Sequence, residues 1–562
     1  MVSVSLLALL GVIASGVQAL RGPFLDQIDN NTWILGNDIW NLTQGPVYGT
    51  KLYYQGEDAV KDASGHYVGV DGENNFVWTS ASIVSQGQDY IDVAFTSTQG
   101  DFHWVIYDDL AGAYQYFVNR ALPDISILRS LWRLDPVRFT HGRTYLKDEV
   151  LPDWSLYASA TKVQDETWQL ANGTFITKYD FSTPARARDF NGVYGAQTGS
   201  WYIHPSYEYY SGNHLAQTLT VHRESATGDA VQLNVVQDTS HFQIGVKTPQ
   251  PPGKTWGPWL WYLNNGSKPD AAARVKLERS KFPYTFLTDK PYHTRGSLIG
   301  TLHLSSGRPA SSAAIFLGDA DTTVRPLAQG SAYRYTTFAD ALGRFTIPGI
   351  RAGTYALYAW SNGGPLGDVY TNFTSPSPIT VSADEHTSLG DLTWSVPADR
   401  ERIFQVGAFD KTARGFRHSG PYLHGLAEGS PANLTFTVGQ SKTEDWWFAQ
   451  SNVGTWEVVF DLPAKGLDRS ALLTLSLAGY SQSTSLVVGV NGRTLGGLNK
   501  DVLTSDPAVY RSGTVSGEWR LVQFEVGKGV LVEGRNRVTF EVDRFVLWRG
   551  FLWDSVILEW QN

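Results

Sequence analysis

Lys178 and Arg129 are the cations whose neighbours could give them chemistry beyond solubility. Lys178 lies in TFITKYDF (174–181), a lone cation between aromatic and apolar residues. A lysine so placed ordinarily lays its stem on apolar surface and keeps its ammonium in water. Held near an arginine and partly desolvated, its pKa falls, and the neutral amine can act as a base. Arg129 stands in ISILRSLWRL (125–134). A guanidinium there either bridges a carboxylate or points to solvent at a sheet edge. Tyr262 and Asn264 belong to WGPWLWYLNNG (256–266), which is too aromatic for an idle surface loop.

A third group of candidates sits in Gly195–Thr220, GAQTGSWYIHPSYEYYSGNHLAQTLT. Trp201, Tyr202, Tyr207, Tyr209 and Tyr210 crowd around His204, Glu208 and His214. Strand alternation puts Tyr202, His204 and Ser206 on one face and Trp201 and Ile203 on the other. Ser211-Gly212-Asn213 then breaks the run as a turn does. The stretch reads as a strand running into a loop at the wall of a carbohydrate groove. An ordinary strand with a tyrosine-rich edge is the plainer alternative.

The elements that must position these groups are strands. Short alternating runs such as YIDVAFT (90–96), HWVIY (103–107) and YQYFV (114–118) are separated by Gly, Asn and Asp. That texture belongs to antiparallel sandwiches. Asp270–Arg279 is the one fair helix candidate. The expected architecture is all-β with three domains after a leader at residues 1–19. Residues 20–289 form a large sandwich. Residues 290–395, entered through a linker at 291–295, form a small fibronectin-III-like module. Residues 396–562 form a jelly roll resembling carbohydrate-binding modules. Trp446, Trp447, Trp548 and Trp553 could line a sugar face there, or fill its core.

Bulk properties narrow the function classes. A chain of 562 residues exceeds one ordinary domain. A net charge of −9 argues against nucleic-acid binding, which wants a basic face. An anionic substrate remains compatible, because a local basic cleft can sit in an acidic protein. Residues 1–19, MVSVSLLALLGVIASGVQA, read as a secretory signal peptide with a small-residue cleavage site. No other segment is apolar enough to cross a membrane. Sequons at Asn30, Asn41, Asn172, Asn265, Asn372 and Asn433 fit a secreted glycoprotein. Cysteine is absent, so each domain must be held by its own core.

No phosphate loop, dinucleotide fingerprint, HExxH, CxxC or Gly-x-Ser-x-Gly elbow is present. Scattered acids such as Asp319 and Asp321 lack a recognised metal spacing. TKYDF (177–181), SGNHLAQTLT (211–220) and GPWLWYLNNGS (257–267), with the three-part order, resemble rhamnogalacturonan endolyases of polysaccharide lyase family 4, fungal type. The resemblance spans essentially the whole mature chain. It implies β-elimination between rhamnose and galacturonate of rhamnogalacturonan I. It implies Lys178 as catalytic lysine, Arg129 as substrate arginine and Tyr262 as active-site tyrosine. One fungal type carries a catalytic histidine just after the tyrosine motif, where this chain has Ser267. His214 is therefore expected to replace it, with Tyr207, Tyr209 and Asn264 as substrate contacts. No cofactor is required by that chemistry, although a structural calcium ion would be compatible. The expected partner is the polysaccharide, with no nucleic acid or membrane, and the expected state is a secreted monomer. A glycoside hydrolase and a non-catalytic pectin-binding protein remain as alternatives.

Overall fold

The computed structural model describes residues 22–561 apart from 71–73, 124–126, 187, 239–249, 324–328, 330–332, 399, 421–428, 512, 516–517 and 547–548. The expected leader at residues 1–19 and Trp548 lie outside the described residues. Among those described, no helix is long and apolar enough to cross a membrane.

The first domain is a sandwich of a ten-stranded and a nine-stranded sheet. Strand Ile127–Leu134 runs antiparallel between Gly65–Val70 and Ala230–Asp238 in the first sheet. Its period-two pattern sorts the side chains cleanly. Ser130 and Trp132 point into the space between the sheets. Trp132 stacks on Trp261 of the second sheet at 4.7 Å between ring centroids. Trp40 and Trp104 pack edge-on to the same Trp261. Each fully buried indole contributes roughly 4–6 kcal/mol by area, an upper figure because unfolded chains are already compact. Polar groups in this core pair with each other: His66 Nε2 meets Ser130 Oγ at 3.0 Å, and Ser130 Oγ meets Tyr202 OH at 3.2 Å.

The expected helix forms as Lys268–Lys281, with Ser267 capping its start and accepting from Asp270 N. It packs through Ala271 and Val275 on the outer face of the second sheet, beside Trp201, Leu260 and Tyr284. The stretch expected to be a linker is instead a short helix, Lys290–His293, capped by Asp289.

The second domain pairs a three-stranded with a five-stranded sheet, and strands Arg295–Leu304 and His386–Trp394 run parallel. The third holds two five-stranded sheets over residues 401–560. Trp446 and Trp553 are fully buried in its core, and Trp446 packs edge-on to both Trp553 and Trp456. They are packing residues and not a sugar face. Trp447 is partly buried against the His418 ring.

Candidate active site

The first sheet turns its outer face to a cleft of about 780 Å³. Arg129, Leu131 and Arg133 alternate along its floor strand, while Ser130 and Trp132 face the core. Val231 and Leu233 of the neighbouring strand continue the floor, with Tyr67 on the other side. Tyr48, 39% exposed, stands edge-on to Tyr67 at 5.3 Å and gives the rim an open ring face. His222 enters from strand Val221–Arg223, directly opposite Val231. Its Nδ1 donates to Arg223 O at 3.0 Å, which fixes a proton on that nitrogen.

Lys178 overhangs this floor. It follows a three-stranded sheet of Thr161–Gln164, Thr167–Gln169 and Phe175–Thr177. Thr177 caps the tight turn Lys178–Phe181 by accepting from Tyr179 N. Buried Tyr179 and Phe181 anchor that turn. The lysine side chain is only 13% exposed, and its Nζ lies 3.7 Å from Asp165 Oδ2. That is an ion pair without a close hydrogen bond. Asp165 Oδ2 is more tightly held by Tyr179 OH at 2.5 Å and Arg511 Nη2 at 2.9 Å. Burial pulls the Lys178 pKa below the ordinary lysine value. Asp165 and Glu166 oppose that shift, and Arg511 of the third domain adds to it. The neighbouring arginine that acts on Lys178 is thus Arg511, whereas the sequence pointed to Arg129. Glu166 is occupied by Lys162 at 3.0 Å and Ser225 at 2.5 Å. Arg133 pairs with Glu224 at 3.0 Å and donates to Tyr67 OH at 3.2 Å.

Lys178 and Arg129 therefore share one cleft. The other expected residues do not join them. Tyr262 lies on the opposite sheet, where its hydroxyl donates to Asp270 Oδ2 at 2.8 Å. Asn264 accepts from Trp201 Nε1 and donates to Ser267 O, which ties the strand to the helix start. Both donate to Asp270 in the first turn of the helix. Tyr209 is 1% exposed in the sandwich core. His214 Nε2 donates to Thr337 O of the second domain at 2.9 Å. Burial pulls its pKa to about 3, so it stays neutral. Tyr207, whose hydroxyl accepts from Arg279 Nη2 at 2.7 Å, shares with His214 a groove at the domain junction. Tyr207 and His214 of the tyrosine-rich stretch thus sit at an interdomain joint, and only Leu219 near its end reaches the Lys178 cleft among the described residues.

Sequence reasoning missed Tyr48, Tyr67, Arg133, Asp165, His222 and Arg511. Only Arg133 had a local signal, since it lies four residues after Arg129 on the same strand face. No group of three metal-ligating side chains occurs among the described residues.

Residues 305–389 match the model for "Polysaccharide lyase family 4, domain II", and residues 402–558 that for domain III. A rhamnogalacturonate lyase of Dickeya dadantii is 30% identical over 504 residues, covering 84% of this chain and 82% of that protein. Rhamnogalacturonate lyase B of Emericella nidulans is 26% identical over 68% of this chain and 67% of its own length. A solved xanthan lyase of Paenibacillus aligns over 96% of this chain and 52% of its own at 9% identity, with a TM-score of 0.26, too low to bear on the site.

Proposed function

The chain belongs to polysaccharide lyase family 4, and on that footing we propose that it is a secreted rhamnogalacturonan lyase whose Lys178 is the general base. One observation carries the reading: a lysine amine, sequestered and pulled down by burial, overhangs a floor bearing Arg129. Arg129 faces the galacturonate carboxylate and stabilises the negative charge that builds on it as the C5 proton leaves. The neutral amine takes that proton. The C5–H electron pair becomes the C4=C5 double bond, and the C4–O4 bond to rhamnose breaks. The departing O4 takes a proton from Tyr67, whose hydroxyl lines the cleft floor and accepts from Arg133. No water is consumed, which separates this reaction from hydrolysis. Tyr48 offers its open ring as a stacking face for a neighbouring sugar.

Secretion and glycosylation belong to the same proposal. Asn30, Asn172, Asn265, Asn372 and Asn433 are exposed and Asn41 is partly so, which leaves all six sequons accessible. The substrate assignment is tested by following ultraviolet absorbance of the unsaturated uronate on rhamnogalacturonan I and on homogalacturonan. Signal on the first and not the second is expected. Chain cleavage of rhamnogalacturonan I without unsaturation would replace the lyase with a hydrolase.

A further inference from the structure

Arg511 belongs to the third domain, more than three hundred residues from the cleft in sequence, yet it reaches the first-domain base. It ends the short helix Ala508–Arg511. Its side chain is 11% exposed, its guanidinium lies 4.6 Å from the Tyr179 ring centroid, and its Nη2 is 2.9 Å from Asp165 Oδ2. Lys178 Nζ shares the same two partners, at 5.2 Å from that ring and 3.7 Å from that oxygen. Ser182 Oγ donates to Arg511 O at 3.3 Å, which adds a second tie between the domains.

We propose that Arg511 is a positioning residue for Lys178: it holds the Asp165 carboxylate away from the amine, so that the third domain sets the pH range in which the base works. This rests on the reading of Lys178 as the base. The charged and titratable groups around the amine are Asp165 and Glu166 at the hairpin turn, Glu224 after strand Val221–Arg223, and Arg511. Tyr179 is its chain neighbour, and Tyr67, Arg129, Arg133 and His222 line the floor below. Of these, Asp165 pairs with the amine at 3.7 Å, and Arg511 is the cation that competes for it at 2.9 Å. Removing Arg511 takes away the cation that competes with the amine for Asp165 and removes a repelling charge. Both effects favour the protonated amine. Removing the Asp165 charge does the reverse. The two halves of one ion pair must therefore shift the base in opposite directions, which a purely structural bridge would not do.

The test is the pH profile of kcat/KM on rhamnogalacturonan I for the full chain, whose acid limb reports the free base. Arg511→Gln is expected to move that limb up by about 0.5–1 pH unit, discounted for the partial exposure of Asp165. Asp165→Asn is expected to move it down. Arg511→Lys, which keeps the charge, should restore most of the wild-type limb and covers the case in which Arg511→Gln folds poorly. Limbs that stay put, or that move in the same direction, would overturn the proposal. Lys178→Ala measured alongside separates the two claims. If it is inactive while the Arg511→Gln limb is unmoved, only this inference fails. If it is active, the assignment of the base fails too.

Discussion

Glu208 of the first domain accepts a hydrogen bond from Arg351 Nε of the second at 2.8 Å, with both side chains almost wholly buried. Arg295 completes the arrangement with a forked pair at 2.7 and 3.0 Å. Burial alone would raise the Glu208 carboxyl, but Arg351 and Arg295 outweigh it and hold it below the usual value. The charge cluster at the centre of the tyrosine-rich stretch is therefore a domain clamp. Replacing Glu208 with Gln leaves two buried guanidinium groups short of a counter-charge. Breaking such a pair costs about 3–5 kcal/mol. Calorimetry should show a lower thermal midpoint for Glu208→Gln, and an unchanged midpoint would contradict the clamp.

The placement of the other tyrosines and histidines makes a second prediction. Tyr262→Phe loses one hydrogen bond to Asp270, and His214→Gln disturbs a contact to Thr337. Neither residue lines the Lys178 cleft. Both variants should keep kcat well within the ~10²-fold loss expected for a missing acid or base. A larger loss in a folded variant would return that residue to the site.

Arg129→Ala should raise KM and lower kcat together. The galacturonate carboxylate is present in the ground state and carries more charge in the transition state. Steady-state kinetics on rhamnogalacturonan I would show it. A pure kcat loss at constant KM would argue that Arg129 does not hold the substrate.

Acid should weaken the fold before it weakens the carboxylate pairs. Burial pulls His66 to about 3, and pulls His204 well below its ordinary value, with Arg188 adding to it. Unfolded, each takes a proton near pH 6.5, while the folded state leaves it neutral. The unfolded state therefore binds more protons below that pH, and stability falls as pH falls. The slope is about 1.4 kcal/mol per pH unit for each group. Denaturant midpoints measured between pH 7 and 5 should drop accordingly. A flat profile would contradict it.

Much of this architecture is legible in the chain because period-two alternation and turn residues report strands directly. The Arg129 strand was legible for the same reason, whereas Lys178, expected within an aromatic strand, begins the tight turn that follows one. His214 and Tyr262 were grouped with Lys178 and the structure places them elsewhere, because aromatic density looks the same whether it faces a ligand, a helix or another domain. Asn264 shows this, since a side chain three residues before Ser267 caps a helix region as readily as it binds a sugar. Arg511 could not have been found at all. Its role depends on how the third domain docks against Tyr179 and Asp165, and no local pattern encodes that contact.

The central claim is that Lys178 removes the C5 proton in an elimination. Its most direct test is the product formed from rhamnogalacturonan I by the wild-type protein and by folded Lys178→Ala, read by ultraviolet absorbance and by nuclear magnetic resonance of the new chain ends. The account predicts a 4,5-unsaturated galacturonate end from the wild type, and a loss of at least the ~10²-fold expected for a general base in the variant. Unsaturated product formed by Lys178→Ala at close to the wild-type rate would contradict it.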